Sequence, residues 1–185
     1  MDLFLMDLIL KGKIPVEGRV LDAGCGEGRN AVYFIQEGRN YLGVDADESK
    51  IRLAQFMSNN ISTSRACFLV NDIQNIEDGE FDLILCSRVL HFSESIQDFM
   101  NTWEKLSSLL TNRGVIYISM DSTIENTLGK ERDDGKYEFP DGAVRFSLTE
   151  ELYDEIKKGF AEIEPLKTLI QNKVRAQSFF ALRKN

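Results

Sequence analysis

Apolar residues fall into short unbroken runs separated by stretches with helical spacing. RVLDAG (19–24), NYLGVD (40–45), ACFLVND (66–72), FDLILCS (81–87) and VIYISMD (115–121) read as buried strands. RNAVYFIQEG (29–38) has helical spacing and a glycine stop. DESKIRLAQFMSNN (47–60) reads as a helix, with Ser49 as its cap and Ile51, Leu53, Ala54 and Met57 on one buried stripe. Residues 94–111 form a longer helix that turns Ile96, Phe99, Met100, Trp103, Leu106 and Leu110 inward. Asp78 and Gly79 mark a turn before the fourth strand, and NRG (112–114) marks one before the fifth.

The first fifteen residues read as an amphipathic helix that ends near Gly12, before Pro15. LTEELYDEIKKGF (148–160) opens at Thr149, with Glu150 and Glu151 in the first helical turn. Two last strands fall near 162–170 and 174–183, joined only by Gln171–Lys173. So short a link predicts an antiparallel hairpin, because a parallel pair needs a long crossover.

Strand and helix alternate from residue 19 onward. The pattern predicts an α/β fold: a mostly parallel sheet with helices on both faces, in three layers. Residues 122–147 break the alternation and are too long for a plain connection. Within them KYEFPDGAVRF (136–146) predicts a small hairpin turning at Pro140-Asp141-Gly142. The expected role of 122–147 is a cap over a substrate pocket; the alternative is a solvated excursion.

In such a sheet, ligands bind beyond the carboxyl ends of the strands. Strand one runs into Asp22-Ala-Gly24-Cys25-Gly26-Glu-Gly28, strand two ends in Asp45, strand three in Asn71-Asp72-Ile73, and strand four in Cys86-Ser87-Arg88. A dinucleotide fingerprint G-x-G-x-x-G would need glycine at position 29, which is arginine, and no P-loop lysine follows. Asp22 would repel a phosphate. Asp45 is placed to accept hydrogen bonds from the two hydroxyls of a ribose, and Asp72 from an adenine amino group. The ligand this implies has a ribose, an adenine and a positive, non-phosphate end.

Composition narrows the partners. The 185 residues suit one domain, 1–185, and 43% hydrophobic with 28% charged residues is ordinary for a soluble protein. A net charge of −8 argues against nucleic acid and anionic membrane surfaces, and for a small molecule. Cys25, Cys67 and Cys86 have no CxxC spacing and share the chain with one histidine, so no zinc site is expected. They read as free thiols of a cytoplasmic protein. The apolar N-terminal stretch is too short to span a bilayer and has no cleavage signal.

The stretches VLDAGCGEGRN (20–30), GVDADES (43–49), NDI (71–73), FDLILCSRVLHF (81–92) and RGVIYISM (113–120) together resemble the class I S-adenosylmethionine-dependent methyltransferases. The wording GCGEGRN is most similar to small bacterial enzymes of the tellurite-resistance type. The resemblance implies a Rossmann-like, seven-stranded sheet of order 3-2-1-4-5-7-6 with strand 7 antiparallel. It implies S-adenosylmethionine as cofactor, with Asp22, Gly24, Cys25, Gly26, Gly28 and Asn30 around the glycine loop. Asp45 would bind the ribose, Ala46 would lie against the adenine, Asp72 would meet its amino group, and Ile73 would cover the ring. Cys86 and Ser87 would line the methionyl side.

His91, just past strand four, is the candidate base, with packing in the VLHF turn as the alternative. Arg88 is a candidate for an anionic acceptor, and Tyr137, Phe139 and Arg145 of the expected cap are candidates for acceptor contact. CSRVLH lacks the Asp/Asn-Pro-Pro-Tyr turn of amine-methylating DNA enzymes. The rival readings are a non-catalytic nucleoside-binding module with a partner surface at 122–147 and a nicotinamide-dependent oxidoreductase.

Overall fold

In the computed structural model, which describes residues 1–59, 61, 66–77, 79–125, 129–172 and 174–185, strands and helices alternate along most of the chain. Asn60, Asp78 and Lys173, expected at a helix end and in two turns, lie outside the described residues. The order is α1 (Leu3–Leu10), β1 (Arg19–Ala23), α2 (Ala31–Gln36), β2 (Asn40–Asp45), α3 (Glu48–Ser58), β3 (Ala66–Val70), β4 (Phe81–Ser87), α4 (Ile96–Ser108) and β5 (Leu110–Asp121). A short hairpin region β6 (Lys130–Glu131), β7 (Lys136–Glu138), β8 (Val144–Phe146) follows, then α5 (Glu150–Ile156), β9 (Phe160–Gln171) and β10 (Arg175–Lys184).

The large sheet has the order β3-β2-β1-β4-β5-β10-β9. β1, β2, β3, β4 and β5 run parallel, and β10 is antiparallel to both β5 and β9. This is the expected 3-2-1-4-5-7-6 order, its last numbers displaced by the three hairpin strands. Side-chain alternation builds two cores. Leu21, Ala23, Ile84, Cys86, Ile116 and Ile118 face α4 and α5, where Phe99, Trp103, Leu106 and Ile156 are buried. Val20, Leu83, Leu85, Val115 and Tyr117 face the opposite layer of α1, α2 and α3, with Leu5, Phe34, Ile35 and Ile51. Central strands covered on both faces read as near-continuous apolar runs, which is why the periodicity was so plain. Phe99 is fully buried and stacks on Phe146 of β8 with centroids 5.1 Å apart. Its truncation to alanine should cost about 3–5 kcal/mol.

Several local expectations are corrected. Asp47, not Ser49, caps α3, accepting from Ser49 N at 2.8 Å. Leu53 and Met57 are exposed, so the buried stripe of α3 narrows to Ile51 and Ala54. Ile96, in the first turn of α4, is exposed too. Residues 112–114 belong to β5, with Arg113 in a left-handed conformation (φ 66°) where the register with β4 shifts. The hairpin turn lies at Pro140–Gly142 as expected, where Phe139 N donates to Ala143 O at 2.9 Å. β6, pairing with β7, was not foreseen.

The helix α1 is fixed at both ends. Asp2 caps it, accepting from Phe4 N at 2.9 Å. Near the other end Asp7 and Lys11 join Lys167 and Glu164 of β9 in an ion-pair cluster. No described helix is long and apolar enough to cross a membrane.

Candidate active site

A cavity of about 810 Å³ opens where the parallel strands end. Its size lies within the ~300–1,000 Å³ usual for small-molecule sites. The wall combines the loops after β1, β2, β3 and β4 with Met1 and Asp2 ahead of α1 and with Asp98 and Thr102 of α4.

The three alternate glycines have separate physical reasons. Gly24 has φ 76°, and a Cβ there would fall 2.2 Å from Val89 Cγ2, so only glycine fits. Gly26 borders the cavity, and a Cβ on it would meet no protein atom within 4 Å. Bare backbone at this point leaves room for a bulky ligand. Gly28 is outside the wall: a Cβ there would stand 3.1 Å from the Ala54 Cβ, so its role is to let the loop pack on α3.

Asp45, half-buried, is oriented by two backbone donors. Its Oδ2 accepts from Gly26 N and its Oδ1 from Asp47 N, both at 2.9 Å. Each oxygen keeps further acceptor capacity for hydroxyl donors. Ala46 continues the wall. Asp72 is exposed and caps a 3₁₀ turn over Ile73–Asn75, accepting from Gln74 N at 2.8 Å. Ile73, half-buried, lies beside it in the same wall.

Asp22 is buried and lies outside the wall. The Tyr41 hydroxyl donates to its Oδ2 at 2.7 Å. Burial raises its pKa to about 6 against the lowering effect of the hydrogen bonds from Tyr41 and Asn30. Its charge is therefore felt beneath the glycine loop without direct exposure to a ligand. Cys86 is also outside the wall: it is fully buried in the α4-facing core, and burial pushes its thiol up. Cys25, Asn30 and Ser87 line the cavity.

His91 sits in a 3₁₀ turn over Leu90–Phe92 and lines the cavity, as does Arg88 with φ 63° directly after β4. His91 is 5% exposed and its Nδ1 has no hydrogen-bond partner. Desolvation lowers its pKa to about 4; the Asp121 carboxylate opposes this, and Arg175, Arg145 and Arg88 add to it. At neutral pH the imidazole is unprotonated and open to a proton. Of the three expected cap residues, none is in the wall. Tyr137 is half-buried and Phe139 is buried against Gly129 of the same hairpin region. Arg145 instead stands 3.5 Å from Asp121.

The sequence reading missed Asp2. An aspartate before an apolar run signals a helix cap, but not the company its side chain keeps. Asp2 Oδ2 accepts from Ser87 Oγ at 3.1 Å, and Ser87 Oγ and Ser119 Oγ are 2.8 Å apart. Asp2 N donates to Asn30 Oδ1 at 3.1 Å. The start of α1 is thus tied to the glycine loop and to β4 within the cavity wall. Arg175, more than fifty positions from its partner Asp121, carried no local signal at all.

Comparison with known proteins identifies the family and supports the fold. A family model described as a methyltransferase domain matches residues 15–173. The ubiquinone biosynthesis O-methyltransferase of Rickettsia bellii is 27% identical over 164 residues, 83% of this chain and 65% of that protein. Among solved structures, Burkholderia thailandensis 1,6-didemethyltoxoflavin-N1-methyltransferase, bound to 1,6-didemethyltoxoflavin and S-adenosylhomocysteine, has a TM-score of 0.74 and 21% identity. It covers 98% of this chain and 76% of its own. TehB from Haemophilus influenzae has a TM-score of 0.74 at 19% identity, over 97% of this chain and 62% of its own. At these identities the structural matches speak to the fold. The chain spans 38% to 65% of the length of the first curated relatives it matches.

Proposed function

This chain belongs to the methyltransferase-domain family, the class I S-adenosylmethionine-dependent methyltransferases, and from that premise we propose that it methylates a small-molecule acceptor in the cavity beyond β1–β4. The observation that carries the reading is Asp45. Its carboxylate is held by two backbone N–H groups beside the bare backbone of Gly26, at the edge of an open cavity. That arrangement suits a ribose lying over the loop.

When bound, the cofactor supplies a methyl group on a sulfonium, already joined to its leaving group. The protein's part is positioning and field. Asp45 holds the ribose, Asp72 and Ile73 with Ala46 hold the adenine, and Gly24, Cys25, Gly26, Asn30 and Ser87 surround the amino-acid end. Gly28 and Cys86 act on the site from outside the wall, through loop packing and core packing. Asp22 contributes negative charge beneath the loop, matching a ligand whose reacting end is positive. His91, neutral and facing the cavity, takes the acceptor's proton where the acceptor has one to lose. β8, which carries Arg145, packs on the Leu90–Phe92 turn at the edge of the cavity, and on this reading it borders the acceptor side. The acceptor is small, and the protein acts in the cytoplasm.

The test is release of S-adenosylhomocysteine from S-adenosylmethionine with a panel of phenols, amines, thiols and heterocycles. Acceptor-dependent release is expected, and His91→Gln should slow it by about 100-fold or more. Tight cofactor binding with no release on any acceptor would favour the non-catalytic module instead.

A further inference from the structure

Three guanidinium groups act on the His91 imidazole, and one carboxylate answers them. Arg88, Arg145 and Arg175 disfavour its protonation, and Asp121 favours it. Asp121 is fully buried and already committed. Arg175 grips it with Nε and Nη2 at 2.7 and 2.9 Å, and the Gln177 amide donates to it at 3.4 Å. A bidentate pair of this kind satisfies both charges.

Two cations are then left over. Arg145 approaches the same carboxylate at 3.5 Å, but its Nη1 is buried with no hydrogen-bond acceptor. Arg88 is exposed in the cavity wall and makes no ion pair among the described residues. Beside them the buried His91 Nδ1 is also unpartnered. The cavity wall also holds Asp2, Glu27, Asp45, Asp72 and Asp98, so the positive excess is local: around His91, Arg88, Arg145 and Arg175 outnumber Asp121. Arg145 is brought here by β8, which packs on the Leu90–Phe92 turn. An uncharged acceptor would leave the charge of these cations uncompensated.

We propose that the methyl acceptor bears an oxyanion, a carboxylate or a phosphate, which Arg88 receives in the cavity beside His91, in a positive field that Arg145 completes. This rests on the methyltransferase reading and assigns the substrate class of that site. Arg88 is the binding group; Arg145, outside the wall, acts through its charge. Burial is the main cause of the lowered His91 pKa; an anion seated here offsets the guanidinium groups that add to it, so its arrival makes the imidazole a better proton acceptor.

The single histidine of the chain gives a site-specific reporter. Protein saturated with S-adenosylhomocysteine is titrated with benzoate, with phenyl phosphate and with neutral benzamide, at constant ionic strength, while the His91 ring resonances are followed by NMR. Benzoate or phenyl phosphate should move them saturably and raise the His91 pKa, and benzamide should not. Whichever anion saturates at lower concentration identifies the acceptor's acid group. Arg88→Gln should weaken saturation about tenfold, the loss of one charge-assisted contact. Arg145→Gln should weaken it several-fold with cofactor affinity kept; Arg88→Gln, at an exposed position, serves if Arg145→Gln does not fold. Equal shifts with benzamide, a linear shift that chloride reproduces, or unchanged saturation in Arg88→Gln would overturn the proposal. Failure of S-adenosylhomocysteine to bind would count against the cofactor reading, and the anion titration would then be run on the protein alone.

Discussion

The Tyr117 hydroxyl in β5 donates to the Asp2 carboxylate at 2.7 Å across 115 positions of sequence. The same carboxylate caps α1 and accepts from Ser87 Oγ at the end of β4. The start of the first helix is thereby a part of the cavity wall and not only a cover on the sheet.

Asp2→Ala removes the cap and leaves the Tyr117 hydroxyl without its partner. The combined loss should be about 2 kcal/mol, from a cap of about 1 kcal/mol and a similar cost for the lost Tyr117 bond. Denaturant unfolding checks the stability, and cofactor titration should show a weaker Kd because the wall is loosened. A variant as stable as the parent and binding as tightly would remove the helix start from the site.

Asp45→Ala should weaken S-adenosylhomocysteine binding by about tenfold to a hundredfold, the loss of charge-assisted bonds to a ribose. Asp45→Asn should fall between, since one amide oxygen still accepts. Unchanged calorimetric affinity in both variants would sink the ribose assignment.

Asp22 sets a pH dependence. Its folded pKa, about 6, lies above the ordinary value of 3.8 because the carboxyl is buried. The folded state therefore holds the proton more tightly than the unfolded chain. The stabilisation is complete below about pH 3.8 and is lost as pH rises through 6. Asp22→Asn should raise stability at pH 8, by on the order of 2–3 kcal/mol, and leave it nearly unchanged at pH 4. Thermal unfolding at the two pH values reads this directly; equal effects at both would contradict it.

His91 works in the opposite sense. Its folded pKa is lowered from 6.5 to about 4, mainly by desolvation. Its contribution to stability is present above pH 6.5 and is lost as pH falls through 4. Parent and His91→Gln should therefore diverge in stability on going from pH 7 to pH 4, with the parent losing more. An NMR titration placing the imidazole pKa near 6.5 would contradict the burial argument.

The sheet was legible because its central strands are covered on both faces and so read as apolar runs, and because each loop at their carboxyl ends carried an acid, a glycine or a small polar residue. What local pattern could not supply was distance in three dimensions. Ile96, Leu53 and Met57 keep helical spacing, yet the neighbouring layer does not reach them. Cys86 and Gly28 share the right stretches, but the strand pleat turns Cys86 into the core and Ala54 takes up the space beside Gly28. Asp2 and Arg175 join the site through contacts with residues 87 and 121, which no window of sequence contains.

The central claim is the identity of the cofactor, and calorimetric titration of the purified protein with S-adenosylmethionine, S-adenosylhomocysteine and NAD tests it most directly. The account predicts saturable one-site binding of the two adenosyl compounds and none of NAD. Binding of NAD alone, or of none of the three, would contradict it.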